Sequence, residues 1–187
     1  MAEYKGIKGF KVQYLSADPS NPIIGQTWYN DTSKDLKYTG VTTAGAWASG
    51  NNLNTARAAL AGAGIQTAAL AFGGDVPPQT GATEEYDGNS WTSSNPLITS
   101  RAYLAGSGTQ TAALAFGGAI PPVTGATEEY DGNSWATSPG SLNTTRYALA
   151  GAGTQTAGLA FGGFPNINAT EEWTGAGAPQ TKTITAS

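Results

Sequence analysis

Three stretches of the chain carry nearly the same sequence at spacings of 44 and 45 residues: AGAGIQTAALAFGG at 61–74, AGSGTQTAALAFGG at 105–118 and AGAGTQTAGLAFGG at 150–163. Arg57, Arg101 and Arg146 precede them in register, and TGATEEYDGNSW is identical at 80–91 and 124–135. A fixed period of this length marks a unit that cannot bury its own apolar face and is stabilised by stacking on its neighbours. Periods of about 40 to 50 residues are those of propeller blades. The third copy departs after Glu172: Trp173 stands where the others have Tyr86 and Tyr130, and Thr-Gly-Ala-Gly replaces the Asp-Gly-Asn-Ser-Trp turn. An atypical last repeat marks the end of an array or a seam between subunits.

Within each copy the pattern is that of strands. Short runs of Ala, Leu, Thr and aromatic residues are broken by Gly and Pro every eight to twelve residues. Four strands are expected per repeat, in the first copy near 57–63, 67–73, 82–87 and 90–94. The alanines of ARAALAGAG suit a helix, but Gly62 and Gly64 each cost about 1 kcal/mol in a helix interior. Small residues suit an innermost strand, where neighbouring sheets crowd. The doublets Gly73-Gly74, Gly117-Gly118 and Gly162-Gly163 end the second strands, and Asp87-Gly88 and Asp131-Gly132 supply hairpin turns.

The expected fold is therefore all-β, with propeller blades as three four-stranded repeats (about 54–97, 98–142 and 143–187, within a 51–187 region) behind an N-terminal segment, 1–50. Gln26–Asn30, Leu36–Thr39 and Ala46–Ser49 are candidates for a partial N-terminal blade, since Trp47 lies 44 residues before Trp91. A closed ring needs at least about four blades. Open strand edges and uncapped repeat faces then predict completion by oligomerisation, as a homo-oligomer.

Composition narrows the chemistry. The 187-residue chain has no Cys and no His, which removes disulfides, Cys/His metal sites and Ser-His or Cys-His nucleophiles. No metal and no cofactor is expected. Charged residues are only 12% and the formal net charge is −4, with nine scattered basic residues. That balance argues against nucleic acid and against a polybasic membrane patch. No apolar run approaches the ~20 residues of a membrane span, and neither a signal-peptide core nor membrane insertion is expected.

A strand ending in a Gly doublet, then a Tyr, then a Trp about five residues on, resembles the kelch repeat over residues 54–174. That resemblance implies one four-stranded propeller blade per copy. The N-terminal IGQTWYNDTSKDLKYTG (24–40), closed by Ala46-Trp47, resembles a short module of tailed-bacteriophage structural and fibre proteins through Gly25, Trp28, Tyr29, Asn30, Thr32, Leu36, Tyr38 and Trp47. The combination is similar to proteins of marine phages. Together the resemblances imply a non-enzymatic virion protein on the particle surface, with residues 1–50 contacting other virion proteins. The implied role is tail-fibre or receptor-binding adhesion to a host glycan or protein. The alternatives are a capsid decoration or head-fibre protein and, third, a carbohydrate-active enzyme; copper chemistry of the galactose-oxidase kind lacks its Cys and His.

Candidate sites follow the repeat. The pairs Glu84-Glu85, Glu128-Glu129 and Glu171-Glu172 invite a two-carboxylate mechanism, but adjacent strand residues point to opposite faces. Pairing with Arg57, Arg101 and Arg146 as framework is the expectation. Asp87-Gly88-Asn89-Ser90 lacks the later Glu of a calcium loop and reads as a turn. Trp47, Trp91 and Trp135 read as core between repeats, while Trp28 and Trp173 fall outside that pattern. Asn30, Asn143 and Asn168 open glycosylation sequons, which have meaning only on a secretory route. The loops after the Gly doublets differ between copies, and loops on a rigid frame carry specificity. Asp75, Gln79, Phe164, Asn166 and Asn168 are the candidate ligand contacts there.

Overall fold

The computed structural model describes residues 12–40, 45–119 and 122–176, and all of their regular structure is β. The chain divides into two compact units, Met1–Ser49 and Gly50–Ser187.

The first unit holds β1 (Gln13–Leu15), β2 (Thr27–Asn30) and β3 (Asp35–Tyr38), in that order across one sheet. Alternation on β2 turns Trp28 and Asn30 to the buried side. Both reach Asp18: Trp28 Nε1 donates to Oδ1 at 3.0 Å and Asn30 Nδ2 at 2.7 Å, while Lys37 Nζ donates to Oδ2 at 2.7 Å. Asn30 Oδ1 accepts the N–H groups of Thr32 and Ser33 and so closes the β2–β3 turn. This sheet is not a partial copy of the repeat. Its β1–β2 pair is parallel, and Ala46–Ser49, expected as a strand, is irregular. Trp47, expected as core, is fully exposed, because no strand holds it against an apolar face.

The second unit contains three antiparallel sheets, one per repeat, each with strands in sequence order. The first comprises β4 (Ala61–Ile65), β5 (Ala68–Phe72), β6 (Thr83–Tyr86) and β7 (Trp91–Ser94). The next holds β8 (Ala105–Thr109), β9 (Ala112–Phe116), β10 (Ala126–Tyr130) and β11 (Trp135–Ser141), the last holds β12 (Ala150–Gly153), β13 (Ala157–Phe161) and β14 (Thr170–Thr174). The fourth strand expected in the third repeat falls on 177–187, outside the described residues. Among the described residues the sheets close no barrel or ring.

The first strand of each repeat begins about four residues later than its composition suggests. Ala59, Tyr103 and Ala148 occupy the left-handed region, at φ of 51°, 55° and 51°, which ends any extended run there. The bend links neighbouring repeats: Tyr103 N–H donates to Ala59 O and Ala148 N–H to Tyr103 O, both at 2.8 Å.

The sheets stack through their first strands, β4 beside β8 and β8 beside β12. On β8, Gly106 faces the preceding sheet: a Cβ there would lie 2.5 Å from the Phe72 ring, and one on Gly151 would lie 2.7 Å from that of Phe116. This close approach is why the strand is small. Phe72 also packs on Trp135, with ring centroids 4.8 Å apart, and the Trp135 indole N–H donates to Thr83 Oγ1 at 3.0 Å. Gln110 Nε2 donates back to Ala69 O and Tyr86 O, and Gln155 Nε2 to Ala113 O and Tyr130 O. Tyr130 OH donates to the Glu85 carboxylate of the preceding sheet. Burial, reinforced by that carboxylate, pushes the Tyr130 hydroxyl up to about 12.

Candidate functional site: an aromatic cluster on the repeat loops

Three buried ion pairs hold the frame on which the loops stand. Arg57 Nη1 meets Glu84 Oε1 at 2.5 Å, and Arg101 and Arg146 meet Glu128 and Glu171 at 3.3 Å. Each of these glutamates also accepts two consecutive backbone N–H groups at the start of its repeat: Asn54 and Thr55, Ile98 and Thr99, Asn143 and Thr144. The second member of the first pair, Glu85, serves Tyr130 instead. In that first pair the two carboxylates thus hold different structural partners, as alternation along a strand requires.

The Asp87 and Asp131 loops are turns. Asp87 Oδ1 accepts the N–H groups of Asn89 and Ser90, and Asp131 Oδ1 those of Asn133 and Ser134. These backbone donors hold both carboxyls below the usual carboxylate range. Among the described residues no three Asp or Glu side chains converge as a metal site would need. Of the repeated tryptophans, Trp135 is buried and Trp91 is half-buried against Tyr86, at 4.9 Å.

The candidate contacts separate into two places. Asp75 and Gln79 pair with each other across the tip of the first repeat's loop, and Asp75 pairs backward with Ala58. Phe164, in the third repeat, is 51% exposed and stacks on Tyr147 at 5.0 Å; Tyr147 in turn meets the 46%-exposed Tyr103 edge-on at 6.0 Å. Asn166 and Asn168 follow Phe164 and are exposed.

Tyr147 is positioned by an isolated antiparallel backbone bridge to Phe164, whose N–H donates to Tyr147 O at 2.8 Å. Tyr103 is positioned by its own left-handed backbone and its hydrogen bond to Ala59. Neither tyrosine was among the expected contacts. The signal for them lies in the copies RAAL (57–60), RAYL (101–104) and RYAL (146–149), where an aromatic residue replaces Ala at two different positions. Only the stacking of the second and third repeats brings those positions together with Phe164.

The cluster offers flat aromatic faces suited to stacking and two tyrosine hydroxyls suited to hydrogen bonding, with the Asn166 and Asn168 carboxamides following Phe164 in the chain. The fold and this surface define an all-β protein in which a small β module precedes, in sequence, three stacked repeat sheets. Compared with known proteins, the chain matches no family model and no curated sequence.

Proposed function

We propose that the chain is a non-enzymatic virion protein of a tailed bacteriophage, a tail-fibre or receptor-binding module that recognises a glycan on the host surface. In this reading its three sheets are blades of a kelch-like β-propeller, and residues 1–50 attach it to other virion proteins on the particle exterior. The observation that carries the reading is the Tyr103–Tyr147–Phe164 cluster, in which exposed Tyr103 and Phe164 flank the half-buried Tyr147. The cluster stands where the repeat is broken, while the repeated Arg57–Glu84, Arg101–Glu128 and Arg146–Glu171 pairs are committed to the frame. Sugar rings present C–H faces that pack on aromatic rings and hydroxyls that suit Tyr OH and Asn carboxamide partners. Individually weak sites of this kind gain about 10² to 10⁴ in avidity when several copies on one particle engage together.

The test is retention of the protein on an array of immobilised bacterial surface polysaccharides. The unaltered protein is expected to bind at least one, and the double variant Tyr147→Ala, Phe164→Ala to lose at least about tenfold in affinity with an unchanged urea midpoint. No polysaccharide retained, or equal retention of the variant, overturns the reading.

A further inference from the structure

The third sheet ends with the groups that the first two sheets use to hold their successors, and the first sheet begins with the groups that receive them. Four contacts recur at both internal junctions. The Phe72 ring lies on Gly106 and the Phe116 ring on Gly151. Gly74 N–H donates to Arg101 O and Gly118 N–H to Arg146 O. Tyr103 N–H meets Ala59 O and Ala148 N–H meets Tyr103 O. Gln110 and Gln155 each span two carbonyls of the sheet before them.

At the two ends each contact is present by half. Phe161, equivalent to Phe72 and Phe116, is 38% exposed where they are 0% and 4%. Gly62, equivalent to Gly106 and Gly151, is exposed, and a Cβ on it would meet only Leu70 O, at 3.2 Å. Among the described residues, the N–H groups of Gly163 and Ala59 and the Gln66 carboxamide donate to nothing. Their counterparts by register are Arg57 O, Ala148 O, and the pair Gly158 O and Trp173 O. Ala150 and Ala152, which face where a next sheet would stand, are exposed, while Ala105 and Ser107 in the middle sheet are buried.

We propose that a second copy of this chain seats its first sheet on the third sheet of the first copy, and reciprocally, so that two chains close one ring of six sheets. The occupant is specified by the interface itself: each open group on one end matches an open group on the other in the geometry already realised twice inside the chain. The number follows from closure. Propellers typically hold four to eight blades, and six is the one multiple of three in that range. A head-to-tail contact that closes after two copies has twofold symmetry and leaves no free end. The inference rests on the blade reading above and not on the adhesive role.

The test is absolute mass by light scattering on the full chain at micromolar concentration. The expected value is that of two 19.0-kDa chains. Gly62→Val puts bulk where the partner's Phe161 ring would lie, and Gln66→Ala removes an exposed side chain that a single chain does not need. Each is expected to raise the dimer dissociation constant at least about tenfold; Gln66→Ala keeps the test valid should Gly62→Val perturb folding. A single-chain mass, three chains, or a two-chain mass that neither variant weakens overturns the ring. A single chain that still binds polysaccharide loses the ring and keeps the adhesive function.

Discussion

Arg101 has no exposed surface, and its partner Glu128 accepts two backbone N–H groups besides the guanidinium. Burial lowers the Arg101 pKa and the facing Glu128 carboxylate opposes that shift, so the guanidinium depends on its partner. Removing one partner leaves a buried charge without compensation, at a cost of about 3–5 kcal/mol. Arg101→Met is therefore expected to lower unfolding stability by that amount in urea titration. Asp18 behaves differently, as an exposed node. Hydrogen bonds from Lys37, Asn30 and Trp28 lower its carboxyl from 3.8 to about 2. A depressed folded pKa contributes stability that is present above the unfolded value and lost as pH falls through the folded one. The Trp28 indole N–H resonance should hold above pH 4 and shift as pH approaches 2, and Asp18→Asn should abolish that acid step. The arginine–glutamate pairing was legible from recurrence alone, because both partners repeat at one period. The Asp18 node was not, since nothing in the sequence joins a single aspartate to a motif ten residues away.

At the scale of elements, the later strands of the first two repeats were readable from Gly doublets and Asp-Gly turns, whose backbone demands are local. The start of the first strand was misplaced because left-handed geometry at Ala59, Tyr103 and Ala148 is imposed by bonding between repeats and not by residue type. An alanine gives no warning of positive φ. The glycines of these strands show the same dependence on neighbours. Gly106→Ala would bring a methyl 2.5 Å from Phe72 and 2.8 Å from Gly62 O, so something has to shift. Overpacking of this kind costs about 1–3 kcal/mol. Gly62→Ala, with only Leu70 O near it, should cost markedly less in a single chain. Urea midpoints of the two variants, measured under conditions where the protein is a single chain, check the difference.

At the scale of the molecule, the all-β class and the three-sheet repeat region were readable from periodicity. The N-terminal unit was not, because its spacing to Trp91 mimics the period while its parallel β1–β2 pair follows a different plan. Of the candidate site, Phe164 was visible as a loop difference, whereas Tyr103 and Tyr147 sit in stretches that otherwise match, and their convergence is a property of stacking. The junctions described above use one set of contacts twice over, each made only with the adjacent sheet. An additional repeat spliced between two existing ones would find both of its faces already complementary to what it meets. Such an array can lengthen or shorten by duplication or loss of whole units while the loops diverge independently, so the number of sheets and the sequences of their loops are free to vary separately.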